Sequence, residues 1–228
     1  MSELFGAEAG SAPLAARMAP RSLDAFAGQA HLLGPGKLLR RLVESGRFAS
    51  AIFFGPPGCG KTALARHIAT QSNAEIVELN AVTAGVADIR KAVDQARFSS
   101  TSLGRRTLLL VDEIHHFNKT QQDALLPSVE RGDVLLIGMT TENPSFEVNS
   151  ALLSRAAVYV LQPLAAPDLE QIVAKARDIG ALPAIEKEAT ERLVAYADGD
   201  ARRLLNTLET LAVAAAQQKL AQITDAWL

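Results

Sequence analysis

The sequence predicts an α/β fold in which a five-stranded parallel sheet flanked by helices precedes a small all-helical domain. Three observations carry this reading. Short continuous apolar runs alternate with segments of helical period, the pattern of strands buried on both faces of a parallel sheet. A glycine-rich turn of phosphate-binding type joins the first of those runs to a helical segment. After Gln162-Pro163 the apolar runs cease and only helical patterns remain.

Taken in order, residues 1–13 are rich in Gly, Ala, Ser and Glu and read as a flexible tail. A turn at Pro20 and a short helical piece around Asp24 follow. Leu38, Leu39, Leu42 and Val43 then share one helical face, closed by Gly46. Strands are expected over 50–54, 75–79, 107–111, 134–138 and 157–161, with helices over 60–71, 86–98, 119–130 and 150–154. Pro127 is expected to kink or shorten the third of these helices. Helices over 168–177, 186–197 and 201–217 complete the chain, so a P-loop domain spans 14–162 and a helical domain spans 163–228.

Composition narrows the class without giving the chemistry. With 48% apolar and 21% charged residues the chain has material for a core and is too apolar for disorder. No run approaches the roughly 18 to 20 apolar residues of a membrane span. Residues 1–13 lack the basic and apolar blocks of a secretory signal, and the single Cys59 excludes an internal disulfide framework. Both features point to the reducing cytoplasm and to no membrane partner. A net charge of −2 gives no bulk attraction for nucleic acid, so any DNA contact must come from local geometry or from other subunits.

The chemistry lies at the ends of the apolar strands. Gly55-Pro56-Pro57-Gly58-Cys59-Gly60-Lys61-Thr62 satisfies the G-x-x-x-x-G-K-[ST] pattern with a strand before it and a helix after it. Its backbone N–H groups and the positive helix end suit the phosphates of ATP. Lys61 is expected to reach the β- and γ-phosphates, and the Thr62 hydroxyl to ligate Mg2+. The backbone of Cys59 matters there more than its thiol. Asp112 ends the strand Leu108-Leu-Leu-Val111 and suits an outer-sphere contact to the metal. Glu113, one residue on, points elsewhere and can take a proton from the attacking water. If the strand ending at Thr140-Thr141 lies between the other two, one of these threonines faces the γ-phosphate. By charge alone Arg155 and Arg202 read as solvated surface cations, with Asp200 placed to cap the helix of Arg202. His115 and His116 are adjacent, so they point apart, and no third ligand is spaced to build a zinc site.

These motifs together resemble the P-loop AAA+ ATPases. Three longer stretches are similar to the replication-associated recombination protein A family and its eukaryotic Werner-helicase-interacting relatives. They are Arg17–Leu33, Val111-Asp-Glu-Ile-His-His-Phe-Asn-Lys-Thr-Gln-Gln-Asp-Ala-Leu-Leu-Pro127, and Gly138-Met-Thr-Thr-Glu-Asn-Pro-Ser-Phe-Glu-Val-Asn-Ser-Ala-Leu-Leu-Ser-Arg155. The resemblance covers the chain from Leu14 to about Thr210. It implies that Thr141 is the sensor-1 polar group and that Arg155 is an arginine finger reaching a neighbouring subunit's γ-phosphate. Arg202 would be the sensor-2 arginine of a helical lid, acting in cis, and Asn80 would hold the catalytic Glu113 aside. It further implies an ATPase at stalled or gapped replication forks, with single-stranded DNA gaps or duplex ends as effector and single-stranded-DNA-binding protein as partner. The location would be the cytoplasm, associated with the nucleoid. Family members continue into a C-terminal domain that forms tetramers, so a chain ending at Leu228 is expected to be monomeric or weakly associating. Two departures, Ala19 for a usual basic residue and Ala84 for a usual serine, set this sequence apart. A clamp-loader-like or Holliday-junction-motor-like subunit is the nearest alternative. A non-hydrolysing nucleotide-binding scaffold is the other, and intact Lys61, Thr62, Asp112 and Glu113 argue against it.

Overall fold

The computed structural model describes residues 12–72 and 74–228, so the tail expected over 1–13 lies almost wholly outside the described residues. In chain order the elements are α1 (Leu14–Arg17), a 3-10 turn (Leu23–Ala25), α2 (Ala30–Leu33), α3 (Leu38–Glu44), β1 (Ala51–Phe54), α4 (Lys61–Gln71) and β2 (Glu75–Asn80). Next come α5 (Val86–Leu103), β3 (Thr107–Asp112), a second 3-10 turn (Ile114–His116), α6 (Lys119–Arg131), β4 (Val134–Thr140), α7 (Pro144–Glu147), α8 (Ser150–Leu153) and β5 (Ala157–Val160). The remainder is α9 (Ala166–Asp178), β6 (Ala184–Ile185), α10 (Lys187–Ala197), α11 (Ala201–Gln217) and β7 (Gln222–Ile223). They form two compact units, Ser22–Gln162 on one hand and Pro163–Leu228 with the described residues up to Arg21 on the other.

The first unit is built on an all-parallel sheet of order β2-β3-β4-β1-β5. Because successive strand residues face opposite sides, each central strand feeds two cores. Phe53, Leu108, Leu110 and Ile137 join Leu39, Leu64 and Ile68 on one face. Ile52, Leu109, Val111 and Leu136 join Ile89, Ile114, Leu125 and Leu152 on the other. This double burial is why β3 and β4 read as unbroken apolar runs rather than alternating ones.

The strands extend past their apolar stretches. β2, β3 and β4 reach Asn80, Asp112 and Thr140, because ladder pairing takes in polar end residues that an apolar pattern leaves out. Pro127 does not shorten its helix: α6 runs on to Arg131. The lost N–H and ring clash weigh on the order of 3 kcal/mol against the helix. Burial of Gln122, Leu125 and Ser128 on both sides of the proline opposes that, as does a reciprocal cap between Asn118 and Gln121. No helix of the described residues is long and apolar enough to cross a membrane.

In the second unit α9, α10 and α11 pack through Leu169, Val173, Leu193, Leu204 and Leu208. Here α1 lies against α11, and the Leu14 N–H donates to Glu209 Oε1 at 2.8 Å. The pairing of β6 with β7, Ile185 opposite Ile223, is too short for any periodicity to signal.

His67 on α4 is buried, with the Phe26 ring edge-on at 5.7 Å, and burial pushes its imidazole below the usual 6.5. The folded chain therefore takes up this proton less readily than the unfolded chain as pH falls. We expect the parent to lose stability relative to His67→Gln between pH 7 and pH 5, read as a narrowing difference in melting temperature.

Candidate active site

The site begins where β1 leaves the core. Gly55 N–H donates to the Thr140 carbonyl at 3.2 Å, which ties the loop's first residue to the end of β4. The loop then turns through Gly60, whose φ of 100° is a left-handed conformation that a side chain would strain. It closes on α4, eleven residues long, whose first N–H groups have no partners within the helix. Cys59 is 2% exposed and packs in the core with Leu64 and Leu161, so its thiol faces inward. Lys61 is buried, and its Nζ donates to the carbonyls of Gly55 at 2.7 Å and Pro56 at 2.9 Å. A buried ammonium in a glycine-rich loop that opens a helix makes this a cradle for an anion.

β3 lies next but one to β1, with β4 between them. Register places Asp112 opposite Asn80 and Thr140 opposite Phe54. Thr62, Asn80 and Asp112 line one cleft of about 240 Å³, together with Arg66 and Glu78. Thr62 and Asp112 supply hard oxygen donors there, the donor type that Mg2+ takes. Arg66 forms a two-point pair with Glu78, at 3.1 and 3.0 Å, which holds its guanidinium pKa above the usual value, with Asp112 adding to the effect.

Glu113 follows in a left-handed backbone conformation, φ 51° and ψ 47°, sparsely populated for a residue with a side chain. Its Oε2 is buried and, among the described residues, accepts no hydrogen bond. His115 Nδ1 lies 3.3 Å from that oxygen but also 3.0 Å from Thr140 Oγ1, and it is the hydroxyl that it bonds. A buried carboxylate oxygen without a donor, beside a phosphate-binding loop, is left able to accept a proton.

The remaining residues are placed as follows. Thr141 is half-buried in the bend after β4, whereas Thr140 is fully buried. Asn80 Oδ1 accepts from the Val82 N–H at 2.9 Å, and among the described residues no hydrogen bond joins it to Glu113. Arg155 bonds the Ala151 carbonyl and Ser154 Oγ, both at 2.8 Å, and pairs with Glu130 at 2.7 Å in a half-exposed position. Arg202 belongs to the other unit, on the first turn of α11, where Asp200 Oδ1 accepts from its N–H at 2.8 Å and from that of Arg203 at 3.0 Å.

Sequence reasoning passed over Gln29. Its side chain is 6% exposed and its backbone is left-handed. Nε2 donates to the carbonyls of Cys59 at 3.2 Å and Gln162 at 2.7 Å, while Oε1 accepts from the Gln162 N–H at 3.0 Å. One amide thus holds the phosphate-binding loop to the exit of β5. A single glutamine carries no pattern, and its partners lie 30 and 133 positions away. Gln29→Ala should lower stability by about 1–3 kcal/mol, because buried carbonyls lose their donor. Denaturant melts and nucleotide titrations check this, with weaker nucleotide binding expected alongside.

A parallel sheet with a phosphate-binding loop after β1 and acidic residues after β3 defines a P-loop nucleotide-binding protein. The family described as "ATPase family associated with various cellular activities (AAA)" matches residues 51–164, half of the chain, and the chain belongs to that family. Within it the chain is similar to the replication-associated recombination protein A of Escherichia coli K12, 52% identical over 206 residues. That match covers 88% of this chain and 46% of the relative. The protein of the same name from Haemophilus influenzae is 50% identical over 205 residues, and ATPase WRNIP1 of Dictyostelium discoideum is 43% identical over 203. The chain thus spans about half the length of the curated bacterial relatives and 23% of the Dictyostelium one. Among solved structures, the Thermotoga maritima RuvB Holliday junction branch migration motor superposes with a TM-score of 0.74 at 26% identity, covering 90% of this chain and 69% of that one.

Proposed function

We propose that this chain is the ATP-hydrolysing part of a DNA-maintenance ATPase that works at stalled or gapped replication forks, in an oligomer, with DNA ends or single-stranded gaps as effector. The observation that carries the reading is the convergence of Lys61, Thr62, Asp112, Glu113 and Thr140 at the same ends of β1, β3 and β4. The name of its bacterial relatives, replication-associated recombination protein A, supports work in replication and recombination.

In this reading the N–H groups of the loop Gly55–Gly60 and the Lys61 ammonium bind the β- and γ-phosphates of ATP. Lys61 exchanges its present carbonyl partners for phosphate oxygens. Thr62 and Asp112 would hold Mg2+, which when bound neutralises charge on the phosphate oxygens. Glu113 takes a proton from water through its unpaired Oε2 as the water oxygen attacks the γ-phosphorus. The bond to the β,γ-bridging oxygen breaks, leaving ADP and inorganic phosphate. Thr141 orients the γ-phosphate from the bend after β4. Arg202 contributes in cis from a lid, and Arg155 in trans from a neighbouring subunit. The half-exposed position of Arg155 supports its reaching outward.

Partners in this reading are DNA, single-stranded-DNA-binding protein and further copies of the chain, tetrameric when joined to a C-terminal assembly domain. The fold shared with the branch migration motor favours a second reading, a motor subunit at four-way junctions. Phosphate release measured with duplex ends, single-stranded gaps, four-way junctions and no DNA decides between them. Stimulation by ends or gaps supports the first reading, stimulation by junctions alone supports the second, and no release under any condition refutes both.

A further inference from the structure

We infer that His115 is a positioning residue for Glu113, steering the carboxylate with a single N–H that it shares with Thr140. The inference rests on the reading of Glu113 as the proton acceptor and adds to it the group that aims that acceptor.

The Thr140 hydroxyl is fully buried and lies 3.1 Å from the Glu142 carbonyl, to which it donates, and 2.9 Å from the Glu142 N–H, from which it accepts. A hydroxyl has one hydrogen. With that hydrogen given to Glu142, the 3.0 Å contact to His115 is satisfied only when Nδ1 carries a proton and donates it to Thr140 Oγ1. The same N–H has a second acceptor within reach, Glu113 Oε2 at 3.3 Å, and that oxygen is buried and unserved. One donor therefore stands between two acceptors, and only one is served at a time.

The backbone keeps this triangle tight. Ile114 packs over Gly138 of β4, where a Cβ would lie 2.8 Å from the isoleucine Cδ1, so the 3-10 turn sits directly on the strand that ends in Thr140. The left-handed backbone of Glu113 lets the chain enter that turn while its side chain stays beside the imidazole. With the N–H on Thr140, the Glu113 oxygen is left without this donor. With the N–H moved to Glu113, one hydrogen bond holds the carboxylate in a single orientation, aimed for the water it is to meet. A small displacement at the end of β4, next to Thr141, selects between them.

The test compares the parent with His115→Ala, His115→Asn, Thr140→Val and Glu113→Gln by equilibrium nucleotide binding, single-turnover ATP hydrolysis and magnetic resonance of isotope-labelled imidazoles without nucleotide. His115→Ala should slow hydrolysis about tenfold, as loss of one hydrogen bond to a charged group would, with affinity held within about twofold. His115→Asn, whose amide N–H can stand where Nδ1–H does, should recover most of the rate. In the nucleotide-free chain both Glu113→Gln and Thr140→Val should shift the His115 Nδ1 resonance. Parental hydrolysis in His115→Ala, no recovery in His115→Asn, or an Nδ1 resonance indifferent to both partners would overturn the inference. Parental hydrolysis in Glu113→Gln would instead overturn the role of Glu113, and with it the inference built on that role. If His115→Ala does not fold, the asparagine variant and the resonance shifts decide.

Discussion

Lys61→Ala should weaken nucleotide binding roughly a hundredfold, whereas Glu113→Gln should bind as the parent does and turn over about 10² to 10⁴ times more slowly. The two effects separate because the residues act on different parts of the reaction. Lys61 is the one ammonium inside the loop, already buried against two carbonyls, and its charge acts on bound phosphate in the ground state as well as in the transition state. Glu113 lies outside the loop at the end of β3, and its unpaired Oε2 matters only while water loses its proton. An isosteric amide keeps the shape and removes the base. Equilibrium binding of a fluorescent ATP analogue and single-turnover hydrolysis distinguish the two variants. Melting curves of the nucleotide-free proteins control for the loop carbonyls that Lys61→Ala leaves without their donor. A Glu113→Gln protein that bound no nucleotide, or hydrolysed it at the parental rate, would sink the assignment.

Arg155→Ala should reduce turnover by about 10³ to 10⁵ in an assembled form and hardly at all in an isolated chain. An arginine supplied across an interface contributes only when two copies meet. Turnover per chain should therefore rise with protein concentration in the parent and stay flat in Arg155→Ala. Among the described residues Arg155 holds only a half-exposed pair with Glu130 and two contacts at the end of α8, so losing it should change stability by less than about 1 kcal/mol. Turnover measured against concentration, with sedimentation for mass, is the check. Constant turnover per chain in a parent whose mass does rise would remove the trans role. Arg202→Ala provides the contrast, because a residue acting in cis should slow hydrolysis at every concentration.

The parts of this protein that could be read in advance share one property: their physical cause is local. A run such as Leu108–Val111 is apolar because both faces of its strand are buried, and the glycines of the loop before Lys61 are needed for the loop's own turns. Spacing along the chain therefore located the five-stranded sheet, the longer helices and the loop. It also marked Asp112 and Glu113 as carboxylates at a strand end, although a pattern of apolar residues stopped the strand short of Asp112 itself.

What escaped depended on partners far along the chain. Nothing beside Gln29 announces that its amide will hold Cys59 and Gln162, because those carbonyls reach it only after the sheet has formed. Pro127 reads as a kink or an early end, yet the burial of Gln122, Leu125 and Ser128, with the cap between Asn118 and Gln121, lets α6 continue to Arg131. His115 shows no useful spacing to any ligand, yet the pairing of β4 beside β3 brings Thr140, 25 positions on, within hydrogen-bond distance. Local pattern is enough for backbone conformation and for the chemistry of one contiguous motif, since both arise from neighbours in the chain. The partner of a buried polar group is chosen by which strands lie side by side, and that choice belongs to the folded sheet.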